Sequence, residues 1–278
     1  MQSSVCVALV HNNNPVRNDY VCAKIELMVT NLHPDYKVKK IEVSYQSEIV
    51  PHGYGIAILR DFMYQQLAYK WQKYRLLRTR KLRDWFGFLR IFFVKYILNQ
   101  NMAAHRWKTN GAIEVAVTDK HIRAWVNFLD SNADYLIVFE DDVIFKDDSN
   151  LRINRLLDEV TNNYLNRACY VNLGGGVSLA DLMVTSLERC YKENYRHYQK
   201  PVTNTTCAYL VNRELITKFM TIVTRKPWLR LIAIDWMINN LFILMNKEVS
   251  SVVCMHADPT IFKHGTFTGE YISWQVNK

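Results

Sequence analysis

Three adjacent carboxylates, Glu140, Asp141 and Asp142, follow a short apolar run, Tyr135–Phe139, and the chain turns apolar again at Val143–Phe145. An apolar run of that length bounded by polar residues reads as a buried strand. Three acids at the end of such a strand repel one another unless something positive lies among them. A hard divalent cation, Mg²⁺ or Mn²⁺, meets that need, because it takes oxygen ligands and often bridges to a phosphate. The competing reading is a solvated acidic turn. Other residue types suited to the same chemistry stand elsewhere. Arg17 ends a polar loop, Asn12–Arg17, after the first apolar run. Asp235 opens an apolar helical pattern, with Asn239 one turn later on the same face. Near the C-terminus, Lys263, His264, Gly265 and Thr266 offer a cation, an imidazole, a turning backbone and a hydroxyl, which suit a diphosphate and its metal; the bland alternative is a surface turn. His256 and Asp258 are weaker candidates of the same kind.

The elements that must position these groups can be read from periodicity. Val5–Val10 reads as a strand. Val21, Ile25, Met28 and Leu32 recur at helical spacing, and His33-Pro34 ends that helix. Lys37–Tyr45 alternates as a strand does, and His52–Gly55 is a turn. The stretch from Ile56 to Asn101 reads as mostly helical. Thr118 or Asp119 can cap a helix whose face is Ile122, Trp125, Phe128 and Leu129. Helix Leu151–Leu165, strand Ala168–Leu173, strand Thr206–Val211, helix Arg213–Val223, a helix through Ile234 and Met245, and strand Val249–Cys254 follow, then a Gly-rich polar tail. Alternating strands and helices predict an α/β fold, a mostly parallel sheet with helices on both faces. Ligands of such sheets bind beyond the carboxyl ends of the strands, which is where Glu140–Asp142 would lie. No strand is followed by Gly-x-Gly-x-x-Gly or by a Walker-type loop, so any nucleotide is held in another way.

The 278 residues carry a formal net charge of +9, and its distribution is informative. Between Lys70 and Lys108 there are eleven Lys or Arg against one acid, Asp84, a local charge of +10. The middle of that segment, Trp85–Leu98, is apolar and aromatic but interrupted by Arg90 and Lys95, too short to span a bilayer. Basic and aromatic residues so mixed suit a helix lying on an anionic membrane surface. Plain helix packing and nucleic-acid binding are the rivals, and no nucleic-acid motif accompanies the charge. The six cysteines are scattered without a Cys-x-x-Cys pair, and Cys6, Cys169, Cys207 and Cys254 sit in apolar runs, as small hydrophobes do in a reducing compartment. Met1–Val10 reads as a first strand rather than a signal peptide.

The stretch Gly111–Phe145 resembles the family 25 glycosyltransferases of lipooligosaccharide biosynthesis. In that family a helix of pattern Gly-(Glu)-Ile-Gly-Cys-x-x-Ser-His-x-x-x-Trp precedes an apolar strand ending in Glu-Asp-Asp. The match runs through Gly111, Ile113, His121, Trp125 and Glu140–Asp142, and departs at Glu114, Val115 and Lys120. Thr206–Arg213 and Ile234-Asp235 resemble later segments of the family. Residues 60–108 have no counterpart, and form a basic helical insertion within a single domain spanning 1–278.

The resemblance implies a GT-A-like catalytic domain with a mixed, mostly parallel sheet. It implies transfer of a sugar from a nucleotide-sugar donor, a UDP-sugar, to a hydroxyl of a bacterial surface glycan or lipid-linked acceptor, with inversion and with a divalent cation as cofactor. Asp142 would be the direct metal ligand and His264 a further one. Glu140, Asp141, Arg17, Lys263 and His121 would serve the donor, His121 having a structural role as its alternative. Asp235 would be the catalytic base or else a helix cap. Such an enzyme works in the cytoplasm, peripheral to the inner face of the cytoplasmic membrane, without nucleic acid as a partner. Two other classes stay open on the residues alone: a non-catalytic membrane- or nucleic-acid-binding protein on a degenerate transferase scaffold, and a metal-dependent phosphoesterase.

Overall fold

The computed structural model describes residues 3–43, 112–164, 167–176, 188–192, 195–198, 205–226, 229–230, 233–245 and 251–271. The basic segment 60–108, the turn at His52–Gly55 and the helical stretch predicted from Ile56 all lie outside them. Ten strands are formed: β1 (Ser4–Val10), β2 (Lys37–Val43), β3 (Tyr135–Glu140), β4 (Val143–Phe145), β5 (Cys169–Asn172), β6 (Glu188–Lys192), β7 (Tyr195–Tyr198), β8 (Ala208–Asn212), β9 (Val253–Ala257) and β10 (Phe262–His264). The helices are α1 (Pro15–Thr30), α2 (Ala112–Asp130), α3 (Ser149–Tyr164), α4 (Arg213–Arg225), α5 (Ile234–Leu244) and the single turn α6 (Gly265–Thr268).

Eight strands make one sheet in the order β2-β1-β3-β8-β5-β9-β7-β6, and β4 and β10 pair as a separate ribbon. β1 pairs in parallel with β2 and β3, and β5 with β9, whereas β8 runs antiparallel to both β3 and β5. β7 is antiparallel to β9 and β6. Six of the eight strands therefore point one way, as the alternation predicted, and the two exceptions are β7 and the central β8.

Side-chain alternation along the strands builds two cores. Cys6, Ala8, Val10, Leu136, Val138, Tyr170, Tyr209 and Val211 pack under α2, α4 and α5. Their neighbours Val5, Val7, Leu9, Tyr135, Ile137, Phe139, Val171 and Leu210 pack under α1 and α3. Helices thus cover both faces, as period-two strands buried on both sides require. The buried thiols Cys6, Cys169, Cys207 and Cys254 are unbridged and fill these cores.

Two of the boundaries that differ from the sequence reading bear on the site. α2 begins at Ala112, so Thr118 and Asp119 are interior residues instead of caps. Thr118 is buried, and Asp119 is paired through its side chain with Arg123 and Arg230. The apolar run ahead of Thr118 extends the helix, overriding the capping preference of the residue type. β9 starts at Val253 and reaches Ala257, which takes His256 out of the predicted tail and into register with Asn172. That tail also holds β10 and α6.

One junction fixes the centre of the fold. Asn212 ends β8, and its side-chain oxygen accepts from Leu215 N (3.2 Å), capping α4, and from Cys169 N (3.0 Å) at the start of β5. Its amide donates to Arg167 O at 2.7 Å. The next residue, Arg213, donates to the carbonyls of Ala133, Leu129 and Phe128, closing the C-terminal end of α2. Free carbonyls at a helix end and a cation beside them are mutually favourable. Asn212→Ala removes the cap and leaves a buried N–H unpaired. The expected loss is about 2–4 kcal/mol of unfolding free energy, to be read from denaturant melts; a loss within error of zero would mean the junction is supported elsewhere.

Candidate functional site

Alternation along β3 puts Glu140 on the Leu136/Val138 face, the face that α2 covers. There the fully buried His121 meets it, with Nε2 3.1 Å from Glu140 Oε1. Thr206 Oγ1 donates to the same oxygen at 2.5 Å. The other imidazole nitrogen, His121 Nδ1, lies 2.9 Å from Tyr209 Oη, to which Trp125 Nε1 donates at 3.0 Å. An indole N–H only donates. Tyr209 and Glu140 thus bond the two imidazole nitrogens from opposite sides of the ring. Burial raises the Glu140 pKa, but the hydrogen bond and charge of His121, the hydrogen bond from Thr206 and the charge of His264 outweigh it and hold the carboxyl below its ordinary value.

Asp141 and Asp142 are treated the opposite way. Burial, and then the charge of Asp142, push Asp141 up to about 6, against the pull of Arg17. Burial, and then the charge of Glu140, push Asp142 up to about 7, against a hydrogen bond from Thr266 and the charge of Arg17. The ribbon supplies what stands beside them. Because His264 of β10 pairs with Val143 of β4, the imidazole arrives next to Asp142, with Nδ1 3.1 Å from Oδ2. Gly265 N donates to the Asp142 carbonyl and Thr266 Oγ1 to its Oδ2, both at 2.8 Å. A side chain at Gly265 would collide with the Tyr271 ring and with the Asp142 carbonyl, at 2.4 and 2.8 Å, so glycine here permits the close approach. Burial lowers the His264 pKa, partly opposed by the Glu140 charge. Asp141 Oδ2 and Asp142 Oδ1 are buried and make no hydrogen bond, and His264 Nδ1, though 3.1 Å from Asp142 Oδ2, is not aligned to make one. Buried polar atoms left this way are uncommon and point to a missing partner.

Arg17, in the first turn of α1, lies 4.7 Å from the Tyr271 ring centroid and acts electrostatically on both aspartates. Glu140, Asp141, Asp142, His121, Arg17 and His264 are therefore gathered at one strand end. Lys263 is not turned to them. Strand alternation sends it to the other side of β10, half exposed and 3.7 Å from Glu270. Asp235 stands in the first turn of α5, where its Oδ1 accepts from Trp236 N at 2.8 Å. An ion pair between Arg230 and Asp119 ties the approach to α5 to α2, two residues before His121. His256 is buried in β9 against Tyr170, and Asp258 lies beyond its end. Lys120, at a position where the resemblance departs, is a buried ammonium donating to the His11 carbonyl at 2.8 Å. It holds the loop before α1 to α2.

Sequence reasoning missed Thr206 and Tyr209 as parts of the site. Thr206 and Tyr209 belong to an apolar strand segment, where a hydroxyl reads as ordinary strand composition. Only the antiparallel placement of β8 beside β3 brings them to Glu140 and His121. Thr266, offered by the sequence as a hydroxyl suited to a diphosphate and its metal, instead donates to Asp142, which the β4–β10 register brings beside it.

The family model described as Glycosyltransferase family 25 (LPS biosynthesis protein) matches residues 99–238. Among solved structures, one titled "Crystal structure of a glycosyltransferase involved in the glycosylation of the major capsid of PBCV-1" is similar over 98% of this chain and 96% of that one, at 8% identity and a TM-score of 0.38. No curated protein matches the chain.

Tyr209 is the hub of the buried network, and its hydroxyl is the test. Tyr209→Phe strands the Trp125 N–H and one His121 nitrogen in the core. The expected destabilisation is about 2–3 kcal/mol, measured by denaturant unfolding. A variant as stable as the parent would show that the hydroxyl does not organise the network.

Proposed function

From the premise that the chain belongs to glycosyltransferase family 25, we propose that it moves a sugar from a UDP-sugar to a hydroxyl of a bacterial surface glycan or lipid-linked acceptor, with a divalent cation and with inversion. The chain is a glycosyltransferase by its family. The observation that supports the finer reading is the trio of buried atoms without hydrogen bonds, Asp141 Oδ2, Asp142 Oδ1 and His264 Nδ1. Two carboxylate oxygens and an imidazole nitrogen form a donor set that Mn²⁺ accepts readily and Mg²⁺ accepts in part. Among the described residues no group of three or more His, Cys, Asp or Glu is placed to hold a metal ion by itself, so in this proposal a diphosphate has to supply further ligands.

In this reading Asp142 and His264 hold the cation, with Asp141 beside them. A bound ion of this kind supplies Lewis-acid stabilisation to the leaving diphosphate. The chain's own residues do the rest. Arg17 brings a fixed positive charge to the same strand end. Thr266 and the Gly265 N–H hold Asp142 in place from two sides, so its free oxygen has one direction. His121 and Thr206 occupy one oxygen of Glu140, keeping it ionised and leaving its second oxygen to accept from a hydroxyl of the donor. Asp235 is the proposed base for the acceptor hydroxyl. Its support is its place in the first turn of α5, where a carboxylate is favoured by the helix dipole.

Among the described residues no helix is long and apolar enough to cross a membrane. The eleven cations between Lys70 and Lys108 support peripheral association with an anionic membrane, where a lipid-linked acceptor would lie. Each exposed cation near such a surface contributes about 1 kcal/mol.

UDP release from a panel of UDP-sugars, with and without Mn²⁺, tests the reaction. One donor should be hydrolysed or transferred only with metal, and Asp142→Asn should lower the rate by about 100-fold or more. Metal-independent turnover, or full activity in the variant, would refute the assignment of Asp142. Silence with every nucleotide donor would favour a non-catalytic scaffold. For the membrane, neutralising Lys and Arg within 70–83 should weaken binding to anionic vesicles while donor hydrolysis persists. Equal binding by parent and variant would remove the membrane from the proposal.

A further inference from the structure

Resting on the transferase reading above, we propose that Phe267 is a stacking platform for a pyranose ring, that of the acceptor. Among the described residues the large exposed apolar side chains are Val16, Leu27, Val126, Leu151 and Phe267. Phe267, 56% exposed, is the aromatic one. The four aliphatic residues lie on helices α1, α2 and α3, where scattered exposure is ordinary. Phe267 instead lies in the segment that meets the carboxylates. The residue before it, Thr266, donates to Asp142 Oδ2, and Gly265 N donates to the Asp142 carbonyl.

The ring is also held. It stands edge to face with His264, with centroids 4.6 Å apart and planes at 82°. On another side it rests over Gly176, where a Cβ would come within 2.8 Å of both Phe267 Cδ2 and Cε2. That glycine turn is fixed in turn. Gly175 N donates to Asn172 Oδ1, and Asn172 Nδ2 donates to Thr205 O at 2.9 Å. The exposed phenyl is thus a rigid surface at the end of β5, between the proposed cation ligand His264 and the glycine turn.

The chemistry of that surface selects the ligand. A phenyl ring has no hydrogen bond to give a phosphate. A pyranose has an apolar face of C–H bonds and hydroxyls around its rim. Laid on an aromatic ring, it loses only the apolar face from water and keeps its hydroxyls for polar partners. A preorganised platform costs little entropy on binding. Next to a diphosphate site, the pyranose that reaches it belongs to the donor or to the acceptor. The acceptor is favoured because the donor's diphosphate is drawn to the charge of Arg17, which lies over the Tyr271 ring, while Phe267 packs instead on His264 and Gly176.

The test compares the parent with Phe267→Ala, Phe267→Leu and Phe267→Tyr, using the UDP-sugar found active, UDP alone, and a glycan acceptor. Loss of one aromatic stack predicts a rise of about tenfold in the acceptor KM for the Ala and Leu variants. The rise in acceptor KM should exceed any change in UDP affinity or donor hydrolysis, and Phe267→Tyr should restore parent behaviour. A rise confined to the donor KM keeps the platform and assigns it to the donor sugar. Unchanged KM values for both substrates overturn the platform, and so does an equal weakening of UDP alone, which would place a nucleobase on the ring. A parent that turns over no nucleotide sugar refutes the transferase reading itself and takes the platform with it.

Discussion

Everything at this strand end depends on the repulsion among three neighbouring carboxylates taken out of water. Charge of one sign concentrated in a poorly hydrated place is costly unless it is hydrogen-bonded, paired or protonated. The chain resolves the conflict by dividing it. Glu140 receives two donors on one oxygen and stays acidic. Asp141 and Asp142 receive less than they need, and their pKa values rise to about 6 and about 7. A divalent ion or a diphosphate complex would find one carboxylate already committed and two still under-satisfied. The asymmetry follows from geometry: alternation sends Glu140 under α2, while the turn after β3 sends its neighbours toward Arg17 and His264.

Neither partner set is local. The donors to Glu140 come from α2 and from the residues leading into β8, and those to Asp142 come from residues 124 positions further along the chain. The antiparallel β8, inserted between β3 and β5, carries the first arrangement. The three-residue ribbon of β4 and β10 carries the second. A register slip of one residue in that ribbon would turn His264 away and bring Lys263 to the carboxylates in its place.

This explains what could be read from the sequence. The acidic strand end, the helix bearing His121 and Trp125, and the alternation of elements are local patterns, and they were legible. So was His264 as a ligand candidate, through the resemblance. Tyr209 and Thr206 were not, because nothing in an apolar strand distinguishes a tyrosine that bonds a histidine on α2 from one that only fills space. The start of α2 was misplaced because Thr118 and Asp119 have capping chemistry, while the helix already runs from Ala112. Ribbon β4–β10 was hidden for another reason: three residues are too few for a periodic signal, and Gly265 beside it suggested a turn.

The placement of β8 also has a consequence for how the protein is made. A ribosome delivers β1, β2 and β3 long before residue 208, so the edge of β3 that ends in Glu140 emerges without its neighbour. An unpaired edge of five apolar residues is an invitation to pair with another chain. Acids flank that edge at both ends, Asp134 before it and Glu140–Asp142 at its tip, and in the nascent chain their repulsion between copies serves as a guard. The electrostatic burden that the finished enzyme must neutralise would, during synthesis, keep two incomplete copies apart.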